Sequence, residues 1–125
     1  MSQTFDKLIT FLHADDLEKT RYFYTNILEL PLVRDQGTCL IFCVNEKAYL
    51  GFCQHIEKLP LERNIILTLV SDDVDEWYKE LVVKKCELLS SPKHNNKYQI
   101  YHFFLKDPDG YWIEIQKFDQ PFEHK

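Results

Sequence analysis

The sequence predicts an α+β domain made of two copies of a βαβββ unit. Three observations support this: an internal repeat, a change from strand-like to helical spacing of apolar residues in each copy, and three extended segments after each helix. A length of 125 residues is typical of a single domain. We place module one at about 7–54, a linker at about 55–63, module two at about 64–117 and a tail at 118–125.

The repeat defines the first strand and the helix of each module. Residues 9–18 read ITFLHADDLE and residues 66–75 read ILTLVSDDVD, and they align without a gap. Each copy is an apolar strand that leads into two aspartates and then into a helical pattern. An aspartate at a helix N-cap accepts hydrogen bonds from free backbone N–H groups, and its charge suits the positive end of the helix dipole. We therefore expect a capped helix after Asp16 and another after Asp73.

Three extended segments follow each predicted helix. They are at roughly 30–34, 38–44 and 48–54 in the first module and at roughly 86–90, 98–105 and 111–116 in the second. Residues 107–110 read DPDG and predict a tight turn, because proline fixes φ and glycine accepts a positive φ. The polar stretch at 90–97 predicts a loop.

Composition and charge exclude some classes of function. The net charge is −5 and no basic run occurs, which argues against a nucleic-acid partner. No apolar run approaches the roughly 20 residues of a membrane span, and the first residues do not resemble a signal peptide. We expect a cytoplasmic protein with neither nucleic acid nor membrane as partner.

The four cysteines form no recognisable framework, since no pair has C-x-x-C spacing. Cys39 and Cys43 lie on one predicted strand, where four residues separate their Cα atoms by about 13 Å. A disulfide needs about 4.4–6.8 Å. We therefore expect free thiols at all four positions, which are Cys39, Cys43, Cys53 and Cys86.

Two longer motifs extend this interpretation over residues 7–117. Residues 15–33 contain DDLEKTRYFY and NILELPLV, and residues 104–115 read FLKDPDGYWIEI. Together, on a duplicated framework, they resemble the vicinal oxygen chelate superfamily of glyoxalases, bleomycin-resistance proteins and extradiol dioxygenases. Glu29 stands where that family has glycine. The resemblance implies curved mixed sheets, one from each module, that form a cleft.

The resemblance also implies a metal site, which this sequence does not reproduce. Catalytic relatives hold a divalent ion with a His or Gln on the first strand of each module and a Glu on the last. Here the first-strand positions are Ile9 and Ile66, and the last-strand position of module one is Gly51 or Phe52. Only Glu114 retains a ligand atom. We expect no metal at the family position and no other cofactor.

The candidate site is an apolar and aromatic pocket. Residues two apart on a strand share a face. The resemblance implies that three such faces point into the cleft, at residues 9, 11 and 13, at 66, 68 and 70, and at 112, 114 and 116. We expect His13 and Glu114 to approach each other across it, and His102 is left unassigned. The ligand-binding candidates are His13, Phe11, Thr68, Trp112 and Glu114.

The function predicted first is metal-independent binding of a small apolar or aromatic molecule in the cleft of a homodimeric protein. The dimer forms either side by side or by exchange of modules. An alternative is an isomerase or lyase in which Glu114 is the catalytic general base and His13 orients the substrate. A further alternative is a metal-dependent glyoxalase or dioxygenase with non-standard ligands.

Overall fold

The computed structural model describes residues 3–55 and 65–120, and its strands form two mixed sheets. The chain divides into two compact units, residues 1–60 and 61–125. Apart from His55, the predicted linker lies outside the described residues, as does the tail after residue 120. Within the described ranges no helix is long and apolar enough to cross a membrane.

The first unit contains one βαβββ module. Its elements are β1 (Leu8–His13), α1 (Leu17–Tyr22), a π-helical segment (Phe23–Ile27), β2 (Leu32–Asp35), β3 (Cys39–Asn45) and β4 (Ala48–Cys53). The sheet order is β1-β4-β3-β2, with β1 parallel to β4. As predicted, the Asp16 carboxylate caps α1 by accepting hydrogen bonds from the backbone N–H groups of Glu18 and Lys19.

The core of the first unit is aromatic and lies on one face of its sheet. The ring of Tyr24 stacks on Phe52 with centroids 4.4 Å apart and lies 5.4 Å from the ring of Phe42. All three side chains are fully buried. This packing fixes which face of the sheet is covered by the helix and which is left for other contacts.

The helical region of the first unit ends in a left-handed residue. Glu29 has a φ of 61°, a conformation that glycine adopts without steric cost. The residue therefore departs from the family motif at a position where the backbone conformation itself favours glycine.

The second unit repeats the plan with one added strand. Its elements are β5 (Ile66–Val70), α2 (Val74–Val83), β6 (Glu87–Leu88), β7 (Lys93–Asn95), β8 (Ile100–Lys106) and β9 (Trp112–Phe118). The order is β5-β9-β8-β6, with β5 parallel to β9, and β7 also pairs with β8. The loop predicted at 90–97 is therefore wrong for Lys93–Asn95, because pairing with β8 outweighs its polar composition.

The turn at 107–110 and the start of α2 differ in how well they match the prediction. The Asp107 carboxylate accepts hydrogen bonds from the N–H groups of Asp109 and Tyr111, and Gly110 has a φ of 91°, which confirms the tight turn. At the start of α2, Asp73 makes no side-chain capping bond. Its own N–H donates to the Ser71 hydroxyl instead, so the predicted second cap is wrong.

A disulfide joins two of the four cysteines. Cys39 on β3 lies opposite Cys53 on β4, with Cα atoms 4.1 Å apart, and their sulfurs are bonded. The prediction of free thiols is wrong for this pair, because strand pairing brings together residues that no short sequence spacing connects. Cys43 and Cys86 are free, so the exclusion of a Cys39–Cys43 bond holds.

Candidate functional site

The second sheet has one face covered by its helix and one turned away from it. Phe103 on β8 contacts the ring of Tyr78 on α2, with centroids 5.2 Å apart. Because side chains alternate along a strand, the neighbours of Phe103 point to the other side. We call that side the open face. It includes Thr68, His102, Phe104, Trp112, Glu114 and Gln116.

Glu114 is the centre of a hydrogen-bonded trio on the open face. Its Oε1 accepts a bond of 2.8 Å from the Thr68 hydroxyl, and its Oε2 lies 2.6 Å from Nδ1 of His102. Thr68 is directly opposite Glu114 in the pairing of β5 with β9. Glu114 is only 8% exposed, and both of its oxygens have partners that offset the cost of burial.

His102 is the member of this trio that sequence reasoning missed. The bond to a carboxylate requires a proton on Nδ1, while Nε2 makes no hydrogen bond to another described residue. The sequence of β8 leaves its face undecided, because residues 100–105 have apolar or aromatic side chains at both alternating positions, and the structure decides it. Phe103 and Leu105 are fully buried, so His102 and Phe104 belong to the opposite face.

An aromatic surface borders the trio. The ring of Phe104 lies 5.2 Å from that of His102 and 5.5 Å from that of Trp112. Gln116 is opposite His102 in the register, and its buried side chain makes no hydrogen bond within the described part of the chain. The open face thus combines flat apolar area with polar groups that can orient a small molecule.

The equivalent position in the first unit is apolar. Thr68 pairs with Glu114 in the second sheet, and Phe11 pairs with Gly51 in the first. Gly51 is therefore the counterpart of Glu114, which settles the choice between Gly51 and Phe52. A Cβ atom at Gly51 would lie 2.4 Å from the Phe11 ring, so the ring occupies the space that a side chain would need.

The family metal does not fit these side chains. Of the four positions that the superfamily uses, Ile9, Ile66 and Gly51 have no donor atom, and Glu114 is held by Thr68 and His102. In the described ranges, the one group of three potential ligands is elsewhere, at Cys39, Cys53 and His55.

His13 has a partner within its own unit. Its Nε2 lies 2.7 Å from a carboxylate oxygen of Asp15, and the side chain is mostly buried. The same strand places Phe11 two residues earlier, and Phe11 is 46% exposed. The predicted approach of His13 to Glu114 stays a prediction.

Comparison with known proteins agrees with the architecture. Residues 8–115 match the model of the Glyoxalase/Bleomycin resistance protein/Dioxygenase superfamily. No curated protein sequence matches the chain. A glyoxalase/bleomycin resistance protein/dioxygenase from Nocardioides is similar with a TM-score of 0.76 and 17% identity, over 100% of this chain and 92% of that one.

Two further solved structures have the same fold. Lactoylglutathione lyase from Agrobacterium tumefaciens has a TM-score of 0.71 and 21% identity, over 88% of this chain and 91% of its own. A glyoxalase/dioxygenase from Nostoc punctiforme has a TM-score of 0.72 and 19% identity, over 90% of each chain. The fold is that of a two-module α+β protein with mixed sheets. This chain belongs to the Glyoxalase/Bleomycin resistance protein/Dioxygenase superfamily.

Proposed function

We propose that the protein binds a small apolar or aromatic molecule without a metal ion. The observation that carries the proposal is the trio of Thr68, Glu114 and His102 beside the contacting rings of Phe104 and Trp112. A planar ligand would pack on the rings and be oriented by the polar groups. The inter-module cleft that the family resemblance implies stays a prediction.

The absence of a family metal is part of the same proposal. The ligand class follows from the groups on this face: the aromatic rings of Phe104 and Trp112, the accepting carboxylate of Glu114 and the amide of Gln116. These groups favour a neutral or weakly basic molecule with a hydrogen-bond donor. A strongly anionic molecule would meet the charge of Glu114 without a metal to offset it.

The test is a binding screen that reports on one tryptophan. We would first find ligands among small aromatic compounds by the shift of the melting temperature. Each one found would then be titrated while tryptophan fluorescence is followed. Binding should change the fluorescence of the wild type and of Trp77→Phe, in which the tryptophan of α2 is removed. In Trp112→Phe the change should disappear.

The role of the carboxylate has its own matched pair of variants. Glu114→Gln should weaken binding by about 1.5–3 kcal/mol, the usual contribution of a hydrogen bond to a charged group. Glu80→Gln changes an exposed carboxylate on α2 and should leave the affinity unchanged. Equal affinities of all these proteins for every ligand would overturn the proposal.

The geometry favours a second candidate function, a proton-transfer enzyme of the isomerase or lyase type. A carboxylate that holds Nδ1–H of an imidazole orients the ring and leaves Nε2 as the proton acceptor. Under this candidate His102 is the general base and Glu114 positions it, which replaces the assignment of Glu114 as base and His13 as its assistant. The supporting observation is the 2.6 Å contact of His102 with Glu114.

Deuterium exchange distinguishes the two functions. In heavy water, a bound ligand with an acidic C–H should exchange that hydrogen if His102 acts as a base. The exchange should disappear in His102→Asn and slow in Glu114→Gln. Simple binding predicts ligand retention with no exchange in any variant.

We also propose that the protein is a homodimer. The supporting observation is exposed apolar area on β1, which is an edge strand of its sheet. Leu8 is 66% exposed, and Ile9 and Phe11 are also exposed. Edge strands with apolar side chains are commonly covered by a partner.

A cytoplasmic location stays a prediction, and a reducing cytoplasm would favour opening of the Cys39–Cys53 bond.

A further inference from the structure

Three side chains with soft donor atoms meet at one end of the first sheet. Cys39 and Cys53 are paired across β3 and β4, and the hydrogen bond from Gln54 N–H to the Thr38 carbonyl closes the ladder beside them. The two cysteines therefore form a non-hydrogen-bonded pair, the kind in which side chains of antiparallel strands are closest. This backbone arrangement keeps the two sulfurs adjacent whether or not they are bonded.

His55 completes the group two residues after Cys53. Its Nδ1 lies 3.6 Å from the sulfur of Cys39. One donor atom from each of Cys39, Cys53 and His55 falls within 4.8 Å of the others. The residue between them is held in place, because the Gln54 side chain donates to the Asp15 carbonyl. His55 itself is exposed, so its ring can adjust and solvent can reach the group.

We propose that Cys39, Cys53 and His55 bind a zinc ion in the reduced protein, and that the Cys39–Cys53 disulfide closes this site. Two thiolates and an imidazole are a donor set that zinc prefers over magnesium or calcium. Tetrahedral zinc with bonds of about 2.0–2.3 Å separates its ligands by about 3.3–3.8 Å, which the present spacing allows after a small adjustment. Water supplies the fourth ligand on the exposed side of His55.

Charge balance supports a zinc ion at this depth. Cys39 and Cys53 are 6% and 1% exposed, and a pair of unpaired thiolates there would be costly. A divalent ion neutralises both thiolates, and the neutral imidazole adds no charge. The site is separate from the family position, since the family positions in this unit are Ile9 and Gly51.

The exchange between the two forms balances with ordinary thiol chemistry. A dithiol reductant transfers two electrons and two protons to the disulfide, leaving two cysteine thiols, and is itself oxidised to a disulfide. Zinc binding then releases the two thiol protons. In the reverse direction a low-molecular-weight disulfide accepts two electrons from the thiolates and becomes two thiolates. The protein disulfide forms and zinc leaves.

The experiment titrates zinc into the full chain in two redox states. The protein is reduced with a dithiol, desalted without air and titrated in competition with a chromogenic chelator. A second sample is first oxidised with glutathione disulfide. We expect one zinc ion per reduced chain and none in the oxidised chain. With cobalt in place of zinc, the reduced protein should show thiolate-to-cobalt charge transfer and the visible bands of a tetrahedral site.

Variants assign the ligands. Cys53→Ser should abolish the charge-transfer spectrum that is typical of cobalt with two thiolate ligands. His55→Ala should lower the affinity for zinc by more than about tenfold, because even the loss of a residue that only supports a metal ligand costs about that much. Cys43→Ser, on the same strand as Cys39, is the matched control and should bind as the wild type does. Circular dichroism of each variant checks folding, and the comparison of oxidised with reduced wild type needs no variant. Failure of the reduced wild type to bind zinc, or equal binding after oxidation, would overturn the proposal.

Discussion

The imidazole of His102 and the carboxylate of Glu114 are joined at 2.6 Å, on two neighbouring strands of the second sheet. Both side chains are mostly buried, and the other oxygen of Glu114 is held by Thr68. A carboxylate with a defined donor on each oxygen cannot rotate freely. Its second partner, His102, therefore has a fixed orientation and presents Nε2 away from the carboxylate.

This relationship predicts the effect of removing the carboxylate on stability. Glu114→Ala should destabilise the protein by about 1–3 kcal/mol, because it leaves the mostly buried Nδ1–H of His102 without its acceptor and opens a cavity. Glu114→Gln keeps the volume and should cost less. Urea denaturation followed by circular dichroism measures both, with Glu80→Gln as the surface control. Equal stability of the Ala and Gln variants would contradict this account.

The same bond predicts the protonation pattern of the ring. Nitrogen-15 spectra should show His102 with its proton on Nδ1 when the imidazole is neutral, since Nδ1 faces a carboxylate acceptor. Glu114→Gln should disturb that preference. An unchanged histidine pattern in Glu114→Gln would mean that the contact does not determine the tautomer.

The lack of ligand atoms at the superfamily's metal position predicts a low metal content for the oxidised protein. With Cys39 and Cys53 bonded, divalent metal should be far below one ion per chain, and a chelator should not change the melting temperature. The reason is that Ile9, Ile66 and Gly51 offer no ligand atom. A stoichiometric ion that is retained after oxidation and lost in Glu114→Gln would show that the family site is functional after all.

The exposed edge of the first sheet predicts the oligomeric state. Light scattering at micromolar concentration should give twice the 15.1 kDa of one chain. Leu8→Lys places a charge on the β1 edge and should shift the protein towards the monomer. Val83→Lys, on the exposed end of α2, should leave the mass unchanged. A wild type with the mass of one chain would refute the dimer.

The left-handed conformation of Glu29 predicts a stabilising substitution. Glu29→Gly should raise the free energy of unfolding by about 0.5–1 kcal/mol. Glycine accepts a φ of 61° without the steric penalty of a Cβ atom, and this gain is larger than the entropy that glycine loses on folding. Glu46→Gly, in the turn between β3 and β4, has no such conformation to relieve and should lower stability. A loss of stability in Glu29→Gly would show that contacts of the Glu29 side chain outweigh its backbone strain.

The His94–Asp119 pair predicts a small pH dependence. The Asp119 carboxylate, 2.7 Å from Nε2 of His94, raises the histidine pKa above its ordinary 6.5, and the Asn96 side chain adds to this. The folded protein thus binds the proton more tightly than the unfolded chain. The resulting stability is fully present below pH 6.5 and is lost as the pH rises through the raised pKa.

A proton NMR titration measures this directly. Asp119→Asn should bring the pKa of His94 back towards its ordinary value and reduce the pH dependence of the unfolding midpoint in the range where His94 titrates. Asp72→Asn, another exposed aspartate of the second unit, is the control. A His94 pKa that is the same in Asp119→Asn as in the wild type would contradict the assignment.

Local patterns in the sequence were enough to define most of the helices and strands, but not all of them. The repeat at 9–18 and 66–75 predicted the two modules and the Asp16 cap, and the residues DPDG at 107–110 predicted their own turn, because caps and turns depend on residues close together in the chain. The same local reasoning placed a loop over β7, whose polar residues become a strand only when β8 is beside them. The membership of the superfamily also followed from motifs that are continuous in sequence.

The partners of the site residues were decided by the tertiary structure. His102 meets Glu114, and Cys39 meets Cys53, only through the register of antiparallel strands, in which a shift of one residue would reverse every side chain. The sequence determined which donor atoms the chain possesses, including the lack of them at Ile9, Ile66 and Gly51. Which of those atoms meet is a property of strand pairing between distant segments, and no local pattern contains it.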